Sequence, residues 1–437
     1  MSRSKVTIFW FRRDLRLEDN VGFFKVLNGN YPVLPLFIFD TNILQRLPKN
    51  DARVNFIHDT LQQMKVELQS LGSDLGIYHG HPKDVFERVC RDFDVQHIVC
   101  NRDYEPYALK RDAEILKFLE GKAIGFHTFK DQVLFEMDEV VKVDGSPYVV
   151  YTPYMKAWMQ KCSTLGSLKA YDPKPHYKKL LKGEKLPNLD LKAIGFENSV
   201  QKVKPYTISE NTLTDYEKTR NFPAMEYGTT HLSPHLRFGT IGYRSLLQKA
   251  QQSPNTTFLK ELIWREFFMQ ILWHFPHTTD KAFKSQYDRI VWRNNENEFE
   301  KWKAGKTGYP LVDAGMRELN STGYMHNRVR MVVASFLCKH LLIDWRWGET
   351  YFAEKLLDYE LSSNVGNWQW AAGSGVDAAP YFRIFNPTTQ IEKFDKDHKY
   401  LKKWIPEWGS EAYPAPIVEH KMARERCLSA YKAALEN

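Results

Sequence analysis

Several things are scarce or missing in these 437 residues, and each absence removes a class of protein. The five cysteines, Cys90, Cys100, Cys162, Cys338 and Cys427, stand far apart, with no CxxC pair and no metal-ligand spacing. That argues against a disulfide or zinc framework and for a reducing compartment. No apolar run approaches the roughly 20 residues that cross a bilayer. The opening Met1-Ser-Arg-Ser-Lys5 leads straight into a strand-like segment instead of a signal sequence, so an intracellular, cytoplasmic protein without a membrane is expected. No internal repeat or low-complexity tract is present. Glycine-rich nucleotide loops are missing too. Gly305-Lys-Thr307 has the end of a phosphate loop, but Glu300 stands where its first glycine belongs; Gly373-Ser-Gly375-Val-Asp-Ala378 matches a dinucleotide fingerprint by letter but follows a tryptophan-rich, helical stretch.

What is present points elsewhere. The length exceeds one hydrophobic core, and 43% apolar residues can fill two. A formal charge of +8 is compatible with a polyanionic partner. Most of the twelve tryptophans lie from Trp264 onward, in a region that also holds Arg265, Arg328, Arg330 and Arg383. Rings interleaved with cations suit a nucleic-acid face, although core packing accounts for the larger share of such rings.

Residues 1–130 alternate short apolar runs with amphipathic stretches. Val6–Phe11, Val33–Phe39, Leu75–Tyr78 and Val95–Cys100 have strand character; Ile57, Leu61, Met64, Leu68 and Leu71 recur at helical spacing, and Gly72 ends that helix. The alternation predicts a doubly wound, parallel α/β sheet of Rossmann-like type. Its first strand-to-helix turn, Phe11-Arg-Arg-Asp14-Leu-Arg16-Leu-Glu-Asp-Asn20, lacks the glycines that admit a pyrophosphate. Residues 131–206 read as a connector: between Cys162 and Tyr206 nine lysines face four acidic residues, broken by Pro173, Pro175, Pro187 and Pro205. From 207 to 437 the spacing is helical, which predicts an all-α domain.

Four constellations in the helical half invite chemistry. Trp368 and Trp370 sit two positions apart, about 200° around a helix, so a single core does not call for both; a redox cofactor on one side and a planar ligand on the other would. In Gly228-Thr229-Thr230-His231-Leu232-Ser233-Pro234, Ser233 is expected as N-cap with Pro234 in the first helical position, gathering hydroxyls and amides at a positive helix end that suits a pyrophosphate. Glu261, Trp264, Arg265 and Phe268 fall on one helical stripe, and Asn327, Arg330 and Met331 on another, as a binding surface or an internal ion-pair network would require. Asp358 and Asn364 can face one ligand if a helix ends between them, with Val365-Gly366 read as loop.

Taken together, Trp10-Phe-Arg-Arg-Asp-Leu-Arg-Leu-Glu-Asp-Asn20, Gly305-Lys-Thr-Gly-Tyr-Pro310 with Asp313, Met325-His-Asn-Arg-Val-Arg-Met331 and the Asn364-to-Gln390 block make the chain resemble the cryptochrome/photolyase family, most closely its class I cyclobutane pyrimidine dimer photolyases. The resemblance implies FAD in the helical domain. Its phosphates would lie near Thr229, Thr230, Leu232 and Ser233, with Tyr216 close by; Arg330 and Asp358 would pair beside the ring, Glu360 nearby, and Asn364 would face N5. Trp368, Trp345 and Trp292 look like an electron relay. Glu261, Trp264, Asn327, Met331 and Trp370 match the family's dimer pocket, with Arg265, Arg328 and Arg383 toward DNA. The implied activity is light-driven repair by a monomer: the reduced flavin lends an electron to a flipped-out pyrimidine dimer in DNA and receives it back, while Glu261, protonated or helped by a nearby donor, steadies the dimer carbonyls.

Within the family, His326-Asn327 stands where repairers of the (6-4) photoproduct carry two histidines, Trp370 closes a motif that single-strand-preferring cryptochromes end in tyrosine, and no long tail follows the helical half. Tyr104-Glu105 continues into Pro106-Tyr107-Ala108 and not the Asn-Glu pair of folate-binding relatives, which leaves a second, antenna chromophore open: folate, deazaflavin, flavin mononucleotide or none. Tyr227 looks inserted before the phosphate segment. A cryptochrome-type photoreceptor that binds FAD without repair is the alternative. A flavin electron-transfer protein sharing only the α/β domain would leave the arginine and tryptophan faces unexplained.

Overall fold

The computed structural model describes residues 3–436, which form two compact units. One comprises the residues up to Glu136 together with Cys162–Pro205 and Leu232–Gln252; the other comprises Met137–Lys161, Tyr206–His231 and the chain from Ser253 onward. The segment expected as a connector is thus shared out: 162–205 packs with the sheet, while most of the helix Tyr151–Thr164 belongs with the helical unit.

The first unit is a five-stranded, all-parallel sheet in the order β3-β2-β1-β4-β5, with β1 Lys5–Phe11, β2 Val33–Asp40, β3 Gly76–Gly80, β4 Asp94–Asn101 and β5 Gly125–Phe129. The central strand is buried on both faces, and its side chains part by alternation. Phe9 and Phe11 point into one core with helices Val21–Leu27 and Ala52–Ser70; Val6, Ile8 and Trp10 point into another with Pro82–Asp92 and Pro106–Glu120. Asn20 and Asp51 cap the first two helices through their side chains, and Gly72, at φ +74°, supplies the left-handed residue just after the second.

In such sheets ligands bind outside the carboxyl ends of the strands where the order reverses, here between β1 and β4. That crevice is filled by the chain's own polar groups. Asn101 donates to Asp14 at 2.6 Å and to Asn20 at 2.7 Å and accepts from the Gly22 amide at 2.9 Å. Arg12 pairs with Asp112 at 2.6 Å, and Arg16 with Asp131 at 2.7 Å. Burial, with Asp131 nearby, pushes the Asp14 carboxyl up from its ordinary value.

The second unit is helical around an aromatic core that includes Trp302, Trp345, Trp368 and Phe336. Its principal helices are Thr257–His274, Pro310–Thr322, Asn327–Ser335, Trp345–Lys355, Leu361–Ala372 and His420–Glu436. The stretch from 207 to 231, expected as helical, is mostly loop with the short helices Glu210–Thr214 and Tyr216–Thr219. The phosphate-loop lookalike is closed by Asp313, which accepts from the Thr307 amide at 2.7 Å and the Gly308 amide at 3.0 Å. Among the described residues no helix is long and apolar enough to cross a membrane.

Candidate functional site

Two helices face each other across a cavity of about 590 Å³, solvent opening included. Helix Asn327–Ser335 contributes Asn327, Arg330, Met331 and Ala334, and helix Leu361–Ala372 contributes Asn364, Asn367, Trp368 and Ala371. Both sets follow the i, i+3, i+4, i+7 spacing that gathers side chains on one helical face. The loop Leu356–Glu360 closes one end and brings Asp358 to the wall. His326 starts the first helix by accepting the Arg328 amide on Nδ1 at 3.1 Å. Burial, with Arg330 and Arg328 adjacent, lowers the pKa of that imidazole to about 4 and keeps it neutral.

The polar groups on the wall are fixed from behind. Arg330 reaches the Met325 carbonyl at 2.7 Å and both Asp358 oxygens at 3.2 and 2.9 Å. Asn364 donates its amide to Glu349, at 3.0 Å to the carboxylate and 3.2 Å to the backbone carbonyl, leaving its own oxygen as an acceptor. Burial pushes the Glu349 carboxyl up, opposed by the bonds from Asn364 and Tyr359. Glu349 sits on helix Trp345–Lys355, and nothing in its spacing marks it in the sequence.

Two local expectations are corrected. Val365-Gly366 is no loop: it lies within helix Leu361–Ala372, which begins, and does not end, between Asp358 and Asn364. Glycine is needed at 366 because the Phe268 ring occupies the space a β-carbon would take. Ser233 is not an N-cap. Leu232 already has helical angles (φ −75°, ψ −20°), so Ser233 falls inside the short helix Ser233–Phe238, and no side chain caps it. The boundary between the units falls between His231 and Leu232, so Thr229 and Thr230 belong to the helical unit and Leu232 and Ser233 to the other.

The remaining candidates fall around the cavity or apart from it. Trp368 and Trp370 both line it, although two positions on a helix suggested opposite sides; Gln369 between them turns away, donating to the Thr278 carbonyl at 2.8 Å. Trp368, 2% exposed, packs against Phe352 and Trp302 with ring centres at 5.0 and 6.2 Å. Trp345 is equally buried, and Trp292 is half-buried against Tyr431. Glu261 and Trp264 are not in the wall. Glu261 forms a close ion pair with Arg220, whose guanidinium also lies 5.7 Å from the Tyr216 ring. Trp264 stacks on Tyr151 at 3.6 Å and 7°, with Phe268 on it at 5.5 Å. Arg265 faces Glu360 at 3.5 Å, with both side chains about nine-tenths buried, so the internal-network reading holds for that pair. Arg328 bonds Asn221 at 2.6 Å and lies over Phe394. Arg383 is exposed on the segment 373–386. Arg220, Tyr151 and Glu349 were not anticipated. Their partners are distant in sequence, and only the Tyr216–Arg220 spacing of four gave any signal.

A flat heteroaromatic group fits this cavity: apolar walls from Phe352, Leu356 and Ala334, an ion pair at one edge and an oriented amide. The sheet unit holds a second, open recess of about 890 Å³ outside β2 and β3, bordered by Thr41, His81, Asp84, Glu87, Arg88 and Arg91.

Comparisons with known proteins give the family. Residues 7–176 match the family model described as DNA photolyase, and residues 258–411 the one described as the FAD binding domain of DNA photolyase. The chain is 35% identical to the deoxyribodipyrimidine photo-lyase of a Synechococcus strain, over 98% of this chain and 97% of that protein. Among solved structures, a bacterial class III photolyase from Agrobacterium tumefaciens has a TM-score of 0.84 at 33% identity, covering 100% of this chain and 99% of that one. An archaeal photolyase from Sulfolobus tokodaii, solved with two FAD molecules, has a TM-score of 0.81 at 34% identity, covering 98% and 100%.

Proposed function

This chain belongs to the DNA photolyase family, and on that ground we propose that it is a light-dependent repair enzyme that splits cyclobutane pyrimidine dimers in DNA. The observation that carries this reading is one cavity lined by two groups of residues: Arg330, Asp358 and Asn364, suited to a flavin, and Asn327, Met331 and Trp370, suited to an extruded pyrimidine dimer. Bound there, reduced FAD supplies a light-driven electron donor. The protein's part is positional. Arg330 and Asp358 would hold a polar edge of the ring; Asn364, turned by Glu349, would offer its oxygen to the N5 hydrogen and keep that proton in place. Trp370, half-buried at the wall, packs against the dimer. Glu261 works with Arg220, the nearby donor its role requires, so the pair can meet both the N–H and the carbonyl edges of the lesion. Trp368, Trp345 and Trp292 carry electrons between cavity and surface, and their order runs from buried to half-buried. Arg328 and Arg383 bind phosphates, which gives affinity that falls with salt. The second recess suits a light-harvesting chromophore. The protein acts as a cytoplasmic monomer.

The deciding experiment is blue-light repair of a thymine-dimer oligonucleotide by FAD-loaded protein. Turnover that requires reduced flavin is expected. A flavin-loaded sample without turnover would instead favour the photoreceptor alternative. Glu261→Ala should lower repair yield while FAD stays bound, and Trp292→Phe should slow photoreduction of oxidised flavin yet spare repair by pre-reduced protein.

A further inference from the structure

We propose that Lys339 is a positioning residue: it pins from below the strap 373–386, and thereby sets where the exposed Arg383 meets DNA. This rests on the DNA-binding reading of Arg383 given above. After helix Asn327–Ser335 the backbone widens into a π-turn, Phe336–His340, closed by the Leu341 amide on the Phe336 carbonyl at 3.1 Å. Such turns are costly and tend to mark sites with work to do. This one carries Lys339, 1% exposed, whose Nζ donates to the Arg383 carbonyl at 2.9 Å.

Among the described residues Lys339 forms no salt bridge. The charged and titratable groups near enough to act on it are the thiols of Cys427 and Cys338 and the Arg383 guanidinium. Burial lowers its pKa to about 8; the thiols oppose that shift and Arg383 adds to it. A buried cation without a carboxylate costs stability, so its value must lie in what it holds.

What it holds is the middle of a strap with two sides. Inside, Tyr381 stacks on Tyr431 at 5.8 Å and 12°, and the Arg383 amide closes a turn on the Pro380 carbonyl at 2.9 Å. Outside, Phe382 is 60% exposed and the Arg383 guanidinium lies over Phe385. Lys339 and Tyr381 are therefore the inward pins that leave Phe382 and Arg383 outward. Lys339 also ties the strap to the helix that bears Asn327, Arg330 and Met331.

The test is a double-mutant cycle on FAD-loaded protein, with binding to thymine-dimer duplex measured over a sodium chloride series for the parent, Lys339→Met, Arg383→Ala and the double variant. Lys339→Met is expected to weaken binding several-fold and to lower the slope of log K against log salt by about 1, as loss of one phosphate contact does. In the Arg383→Ala background it should cost nothing further. An undiminished penalty there, or unchanged binding by Lys339→Met alone, overturns the inference. Unchanged affinity and slope in Arg383→Ala would instead fell the reading of Arg383 beneath it, and the inference with it. Lys339→Gln is the second variant. If neither Lys339 variant retains FAD, Lys339 is a determinant of the helical core and the assignment fails.

Discussion

The crevice at the end of the parallel sheet and the cavity between the two helices each gather charged and amide side chains, yet they use them in opposite ways. Around Asn101 every amide atom is bonded within the unit, to Asp14, Asn20 and Gly22. Around Asn364 the amide is bound on its nitrogen side only, and its oxygen remains available at a cavity wall. The densest motif in the sequence, Trp10 to Asn20, thus builds the molecule, while the less conspicuous Asp358 and Asn364 line an open cavity. Satisfaction of polar groups, more than richness in them, separates a structural knot from a binding site.

The largest expected effect tests this contrast with one substitution made twice. Asn101→Ala strips partners from Asp14, Asn20 and the Gly22 amide and should cost about 3–5 kcal/mol of stability, because each orphaned buried group is worth about 1–3. Asn364→Ala should cost about 1 kcal/mol, since it frees only Glu349. Its damage should appear in the flavin spectrum and in photoreduction. Urea unfolding of both variants reads the difference, and equal losses would erase the distinction between the two regions.

Next in size is Arg330→Ala. It leaves Asp358, 5% exposed at its side chain, without its partner. Removing one member of a buried pair costs about 3–5 kcal/mol. The partial exposure of Arg330, 26%, reduces that to about 2. FAD content per chain should fall with it, while the melting of the sheet unit should not move.

How far the sequence reached follows the same division. Four strands were legible because β1 and β2 carry near-continuous apolar runs and β3 and β4 keep shorter ones, Ile77-Tyr78 and Ile98-Val99-Cys100. The fifth, Gly125–Phe129, was not, since this edge strand, Gly-Phe-His-Thr-Phe, is only partly buried and shows no run. At the site, the stripe Asn327, Arg330, Met331 could be read from helical spacing alone. Val365-Gly366 was misread as a loop because a glycine that makes room for Phe268 looks, in sequence, like one that ends a helix. Ser233 was misread because the angles of Leu232 decide where that helix starts. Glu349, Arg220 and Tyr151 were out of reach, since their roles exist only once distant segments pack.

Glu349 gives a smaller, pH-dependent test of the open side of the comparison. Its pKa is raised in the fold, mainly by burial, so the native state binds more protons than the unfolded chain above the ordinary carboxylate value. The group's contribution to stability is therefore present at low pH and lost as pH rises through the raised value. Glu349→Gln keeps a bond to Asn364 but has no charge to bury. Its stability relative to the parent should improve as pH rises from about 4.5 toward neutrality. A pH-independent difference would show that Glu349 is not titrating in that window. The same variant can present its own amide to Asn364, so a shift in the flavin spectrum is expected if Glu349 sets which end of that amide faces the cavity.

The smallest effect is expected at Trp264, which lies outside the cavity wall but in contact with other rings. Its indole is held between Tyr151 and Phe268, so Tyr151 fixes the plane that a dimer would meet. Tyr151→Phe removes only the bond from its hydroxyl to the Lys260 carbonyl at 2.6 Å and keeps the ring. Tyr151→Leu removes the stack, worth about 0.5–1.5 kcal/mol beyond its area. Dimer affinity should then weaken by no more than about tenfold in Tyr151→Leu and stay near parental in Tyr151→Phe, with FAD content unchanged in both. If Tyr151→Leu binds dimer as the parent does, the aromatic stack belongs with the self-satisfied groups of the sheet crevice and not with the open side of the helical unit.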